Sequence, residues 1–320
     1  RHADLWGSGE SKYGWLDSHD LKQTDWQELK PTSPFHLFVP RDNALDAGYR
    51  CFVGIPDLFP VNSVGIVTAR DGLTINWSKE DVWKTVTVFA GMDAEVARQG
   101  YKLGQDARDW KVSFAQKDLR DSGPSRDKIA PILYRPFDVR HTYYTGRSRG
   151  FICMPRPEVM RHMLAGENLA LITPKRVEYV GAWQHAFVAS AISDHVAVSL
   201  KTIDYHFPLY RYPTADRTDL FAQHESEERR PNLNPKAVAA LAQAYGKKPA
   251  PEEIFHYVYA VLYAPAYREK YAEFLRMDFP RVPFTADAKL FQKLAALGER
   301  LTALHLLKSP ELDPPACRFE

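Results

Sequence analysis

Apolar residues are scattered thinly through the first fifty positions and become denser and more regular further on. Residues 1–50 are rich in Trp, Asp and Lys, with Trp6, Trp15 and Trp26 set among polar neighbours. They read as a docking segment or the tail of a preceding domain. Ser33–Pro40 is expected to form a strand held between prolines. A short apolar run, Cys51–Ile55, precedes Val64–Thr68. Arg70-Asp71-Gly72 then supplies a turn, and Leu73–Trp77 alternates, so a hairpin is predicted. Residues 79–122 are polar and helix-compatible, with Trp83, Val86, Phe89 and Val96 as the expected buried positions, and Asp121-Ser122-Gly123-Pro124 breaks the pattern.

From 131 to 213 the pattern turns to short apolar runs: Leu169–Ile172, Ala186–Ala189, Val196–Val198 and Phe207–Tyr210. Runs of that length read as buried strands, with one helix, Glu158–Leu164, opened by Pro157. Residues 214–234 are charged and turn-rich, as a surface loop would be. Helical spacing follows over Pro235–Tyr245, Pro251–Tyr263 and Tyr267–Met277. Leu290, Leu294, Leu297, Leu301 and Leu304 make one stripe, predicted to face the core. The expected class is α+β: a connecting or docking region over 1–130, a β-rich core over 131–213 and a helical C-terminal unit over 214–320.

Composition narrows the picture. The chain has 320 residues, 45% of them hydrophobic and 26% charged, with a net charge of +2. Two or three units with real cores fit in that length. No apolar run approaches the ~18 residues needed to span a membrane, and no secretory signal opens the chain. Cys51, Cys153 and Cys317 form no close pair, so reduced thiols and a cytoplasmic setting are expected. The opening Arg1-His2 suggests a piece of something longer.

The charge is local. Tyr134–Arg176 carries eight Lys and Arg against three Asp and Glu, so the remainder of the chain is net negative. Aromatics, Tyr134, Phe137, Tyr143, Tyr144 and Phe151, are interleaved. Basic charge attracts phosphates, and guanidinium forks among aromatics can read base edges. Arg135 is expected to be structural, pairing with Asp138 or packing on a ring. Arg147 and Arg149, between Gly146 and Gly150, read as belonging to an exposed, mobile loop and are the leading DNA contacts. Arg140, Arg156, Lys175, Arg176 and Lys201 join them. Of Tyr143 and Tyr144, at most one should reach DNA if both lie on a strand.

Catalytic patterns are missing. There is no Gly-rich loop ending in Gly-Lys-Ser/Thr and no Gly-x-Ser-x-Gly elbow. Asp313-Pro314-Pro315-Ala316 approaches the amino-methyltransferase tetrapeptide, with Ala316 where an aromatic should stack on an extruded base. It reads as a tail. Pro56-Asp57 has no acidic-x-Lys nearby, since Asp287-Ala288-Lys289 is distant. The eleven histidines do not cluster at metal-ligand spacing. His141 stands out by its basic company alone.

Several pieces carry a family likeness: Tyr134-Arg135-Pro136-Phe137-Asp138-Val139-Arg140, Tyr143-Tyr144, Arg156–Met160, Phe207–Tyr210, Ile254–Leu262, Tyr267-Arg268, Asp278–Pro283 and Leu304–Leu307. With the opening Arg1–Gly7, they cover nearly the whole chain. It resembles the C-terminal region of Type ISP restriction–modification enzymes, and related single-chain Type IIG-like adenine methyltransferases. That resemblance implies a target-recognition domain, non-catalytic itself, that grips a short asymmetric site in double-stranded DNA. It would position an adenine for N6 methylation by a methyltransferase domain. It implies a methyltransferase, a helicase-like motor and a nuclease as partners in the same polypeptide. S-adenosylmethionine, ATP and Mg are then expected for the intact enzyme, with no cofactor in this chain and no membrane partner. The competing reading is a scaffold that docks the motor to the methyltransferase, for which the tryptophans of residues 1–30 speak. A free-standing hydrolase has scattered histidines and carboxylates alone behind it.

Overall fold

A computed structural model describes the chain apart from residues 32–35, 37, 39–42, 179–180, 214–228, 316 and 318–320. The expected Ser33–Pro40 strand and most of the expected 214–234 loop lie outside the described residues. Arg1–Phe52 forms one compact unit and Val53–Glu320 another. In the first, α1 (Gly9–Ser18) starts where Ser8 Oγ accepts from Ser11 N at 3.2 Å, and α2 spans Asn43–Arg50. Trp6 and Tyr13 are exposed.

The second unit is α+β, as the spacing predicts. It opens with β1 (Val53–Gly54), α3 (Ile55–Leu58) and β2 (Ser63–Val64). The predicted hairpin around Asp71 does not form. Asp71–Thr74 makes one helical turn, α4, and the following β3 (Ile75–Asn76) pairs with a strand far along the chain. The reason is tertiary: the Asp71 carboxylate accepts from Thr68 Oγ1 and, at 2.9 Å, from the Tyr134 hydroxyl. A carboxylate so engaged is not available to shape a two-residue turn.

Three helices follow. α5 (Lys79–Gly91) is capped by Ser78, whose Oγ accepts from Asp81 N, and Glu80 and Asp81 sit favourably in its first turn. It buries Val82, Val86, Phe89 and Ala90, the helical spacing expected. Trp83 is half-buried beneath the Arg126 guanidinium. α6 (Ala94–Gly100) buries Ala97 and leaves Val96 exposed. α7 (Val112–Ser122) is tied to the end of α5 by the buried Gln116 amide, which donates to Phe89 O and Met92 O.

Two four-stranded sheets share the core behind these helices. In the first, β4 (Ile129–Arg135) and β5 (Asp138–Tyr143) form a hairpin, β3 flanks β5, and β8 (Ile192–Ser193) runs parallel to β4. In the second, β6 (Ala170–Pro174) lies between β7 (Phe187–Ala189) and β9 (Asp204–Pro208), with β2 beyond β9. Every residue of β6 is buried, as its apolar run predicts for a central strand. The predicted strand at Val196–Val198 is an irregular loop, because Asp204 draws it inward by accepting from Val198 N. Between β5 and β6, α8 spans Pro157–Leu164.

The remaining strands are short: β10 (Tyr210–Arg211) pairs with β11 (Arg230–Pro231) and β1 with β12 (Arg281–Val282). Helices α9 (Pro235–Tyr245) and α10 (Pro251–Tyr263) match the predicted limits. α11 (Pro265–Lys270) and α12 (Ala272–Met277) divide the third predicted helix at Tyr271. α13 (Ala288–His305) contradicts its leucine stripe. Phe291, Ala295, Gly298 and Thr302 are buried, whereas Leu290 and Leu297 are exposed. A Cβ on Gly298 would fall 1.8 Å from His256 O in α10. So close a crossing demands small residues, and that requirement leaves Leu294, Leu301 and Leu304 half-buried and turns Leu290 and Leu297 outward.

Candidate nucleic acid interface

The loop after β5 carries the arginines singled out in the sequence. It is pinned rather than mobile. Asp118, buried in α7, accepts from Thr145 Oγ1 and Phe151 N, both at 2.8 Å. Arg147 N donates to Thr145 Oγ1, and Arg149 N to Cys153 O at 2.9 Å. Gly150 packs so tightly on this carboxylate that a Cβ there would lie 2.2 Å from Asp118 Oδ2. The glycine is a close-approach residue. The Tyr144 hydroxyl completes the bracing by donating to Pro155 O at 2.9 Å, and burial pushes its pKa up.

Bracing brings together arginines from three separate segments. Arg149 and Arg108 share one carboxylate, Asp109, at 3.0 and 2.8 Å. Arg70 and Arg156 reach the same neighbourhood. Burial pushes the Cys153 thiol pKa up and Asp109 adds to that, while the guanidiniums of Arg70, Arg149 and Arg156 pull it back. Asp109 is the one carboxylate with which any of these four arginines pairs among the described residues. Arg108 is largely exposed. Arg70 lies 4.8 Å from the Trp110 ring centroid and bonds Gln105 O. Arg156 caps α8 in a left-handed conformation (φ 53°) and touches Met154 Sδ. The buried Nε of both Arg70 and Arg156 has no hydrogen-bond partner. Unsatisfied buried donors are costly, and it is the excess of cationic forks beside them that suits an anion such as phosphate.

The other predicted contacts divide. Arg147 lies alongside, paired with Asp121 at 2.7 Å, a carboxylate that also holds Lys117 at 2.8 Å. Arg140 belongs to a closed arrangement: its guanidinium is bidentate on Asp138 and stacked 3.9 Å from Trp77 and 4.4 Å from Tyr134. Tyr143 is fully buried, its hydroxyl accepting from Ser125 N and donating to Gly123 O, so it faces the core and cannot touch a partner. Lys175 and Arg176 follow β6 and are exposed, as is Lys201 on the 198–203 loop, and none of the three forms an ion pair with a described residue. Arg135, expected to be structural, pairs with buried Asp194 at 2.8 Å. Burial pushes the Asp194 carboxyl up, but hydrogen bonds from His195 and Arg135 outweigh it and hold the pKa below the usual range.

Sequence reasoning missed Arg70, Arg108 and the exposed Trp77. Each sits alone in its own segment, and nothing in the local sequence signals that they meet the basic stretch. Among the described residues, no three His, Cys, Asp or Glu side chains converge as a metal site, and no helix is long and apolar enough to cross a membrane.

Comparison with known proteins gives this surface its context. No curated protein matches the chain. Among solved structures, a cryoEM structure of a DrdV–DNA complex aligns with a TM-score of 0.67 and 25% identity, over 93% of this chain and 29% of that one. A nuclease-deletion mutant of the Type ISP restriction–modification enzyme LlaGI, in complex with a DNA substrate mimic, aligns at 0.62 and 22% identity, over 93% and 27%. The ATP-dependent Type ISP restriction–modification enzyme LlaBIII, bound to DNA, aligns at 0.64 and 19%, over 93% and 18%. The latter two share the fold. The chain spans less than a third of the length of each of these proteins. The family described as the Type ISP C-terminal specificity domain matches residues 57–319. This chain therefore belongs to the Type ISP C-terminal specificity domain family.

Proposed function

We propose that this chain recognises a short, asymmetric site in duplex DNA and positions an adenine for N6 methylation by a methyltransferase domain of the same polypeptide. It contributes no catalytic group of its own. S-adenosylmethionine, ATP and Mg serve the other domains of the intact cytoplasmic enzyme. The observation that carries this reading is the arginine cluster: Arg108 and Arg149 share one carboxylate, and Arg70 and Arg156 lie with Arg149 beside Cys153 at the end of the pinned loop. Family membership and the DNA complexes of the structural neighbours support it. Phosphate contacts set register, while a forked guanidinium reads guanine in the major groove. Here Arg149 is the base-reading candidate, and Arg108, Lys175, Arg176 and Lys201 are the phosphate contacts.

Selection of bound duplexes from a randomised pool at two salt concentrations tests the reading. Enrichment of one asymmetric motif is expected. Salt-sensitive binding with no motif would contradict it. Exposed Trp6 and Tyr13 favour a second role for the first unit, docking to another domain. Absence of DNA binding at low salt would leave docking as the chain's main task.

A further inference from the structure

A cleft of about 600 Å³ opens beneath the tip of the β4–β5 hairpin. It falls in the range of about 300–1,000 Å³ found for small-ligand pockets. Its walls are rings: Phe187 and His305 stack at 5.4 Å and 10°, and Phe137 stands edge-on to both at 5.2 and 5.7 Å. Tyr263, Gln184 and His185 line the rest. Among the described residues no Asp, Glu, Lys or Arg lines it, which makes it a poor site for a phosphate, a metal or a charged substrate. Burial holds both His185 and His305 toward the neutral form. His305 Nδ1 is bonded to the Tyr259 hydroxyl at 2.6 Å and His185 Nδ1 accepts from Gln184 N at 3.3 Å, so each imidazole has at most its Nε2 to offer, and the Gln184 side-chain amide supplies a donor and an acceptor. The chemistry is that of a flat, uncharged ring with donors and acceptors on its edge.

The lip of the cleft is unusual. Pro136-Phe137 forms the hairpin turn, and Phe137 has φ 65°, the left-handed conformation that glycine normally supplies at this place in a turn. A phenylalanine there is strained, yet the residue remains 52% exposed. Strain of this kind gathers where a ligand is clamped. On the opposite rim, Val198 and Ser199 lead to exposed Lys201, one of the phosphate candidates.

We propose that this aromatic cleft receives a nucleobase extruded from the bound duplex, with Phe137 stacking at its mouth and Lys201 near the displaced backbone. The inference rests on the DNA-reading function above. Extrusion costs less where the base pair is already broken. A scan of single mismatches through the selected site should therefore find one position where binding tightens about tenfold. Phe137→Gly should abolish that gain while relieving the strained backbone, so the melting temperature should not fall far, and Phe137→Tyr should keep the gain. In parallel, saturation-transfer NMR with the four nucleoside 5′-monophosphates on the full chain should show transfer to base protons that disappears in Phe137→Gly. Specific duplex binding with no mismatch gain, or a gain indifferent to Phe137→Gly, overturns the inference and leaves the DNA-reading function standing. If the chain binds no duplex, the mononucleotide experiment decides alone: transfer lost in Phe137→Gly supports a base site, and no transfer refutes it, leaving a polypeptide segment as the occupant.

Discussion

On the β4–β5 hairpin, Arg135 and Arg140 each lie against a carboxylate and at least one aromatic face. On the loop that follows, Arg149 shares Asp109 with Arg108, while Arg70 and Arg156 come close without an ion pair to any described residue. Both regions belong to the same basic stretch of sequence. One is neutralised internally, with its guanidiniums held as packing elements. The other keeps an excess of cationic forks and two unsatisfied donors. Counting basic residues along a sequence therefore does not locate positive potential. Asp138 is local to Arg140, but the other carboxylates that decide the outcome arrive from elsewhere: Asp194 from beyond β8, Asp109 from before α7.

Measurements on single variants test this contrast. The largest effect is expected from Asp118→Ala, which removes the acceptor for Thr145 Oγ1 and Phe151 N. Stability should fall by about 3 kcal/mol, and DNA affinity should fall with it. Urea unfolding showing a loss of less than about 1 kcal/mol would mean the loop is held by something else.

Next comes the buried carboxylate layer behind the hairpin. Burial pushes the Asp204 pKa up to about 7, well above an ordinary carboxyl. Its protonated form is thus favoured by folding, so this contribution is complete below about pH 4 and is lost as pH rises through about 7. Over that window the opposing titration of His206 largely offsets this loss, so Asp204→Asn should turn the profile into a rise of a few kcal/mol with increasing pH. His206, held at about 3 by burial, contributes in the opposite sense, losing stability as pH falls below about 6.5. An unchanged profile in Asp204→Asn would remove Asp204 from the account.

Arg149→Ala should cost about 1–3 kcal/mol of specific binding and relax the preference at one base pair. Arg108→Ala should weaken all sequences alike and lower the salt slope by about 1. If Arg108→Ala changes sequence preference instead, the two arginines have exchanged roles.

Much of the fold can be read locally. α9 and α10 begin at prolines preceded by capping groups: Asn234 Oδ1 accepts from Lys236 N, and the Glu253 carboxylate accepts from Ala250 N at 2.7 Å. β6 is a short apolar run, and it is buried throughout. Local patterns fail where a distant partner decides. Asp71-Gly72 would be a turn if Tyr134 did not bind the carboxylate. The leucines of α13 would face inward if α10 crossed at an ordinary distance. Gly146 and Gly150 resemble the hinges of a mobile loop, but Asp118 fixes that loop, and Gly150 is small to allow it. The candidate site follows the same rule: Arg149 and Arg156 stand out in the basic stretch, whereas Arg70 and Arg108 join them only through folding.

The most direct test is duplex affinity, measured for wild type, Arg149→Ala and Arg140→Ala on the selected site over a range of salt concentrations. The account predicts a loss of about tenfold or more for Arg149→Ala with its fold intact. Arg140→Ala should instead lose thermal stability and bind within about threefold of wild type, since its charge is already cancelled by Asp138. Equal losses, or a larger loss for Arg140→Ala at unchanged stability, would make Arg140 a direct DNA contact and contradict the account.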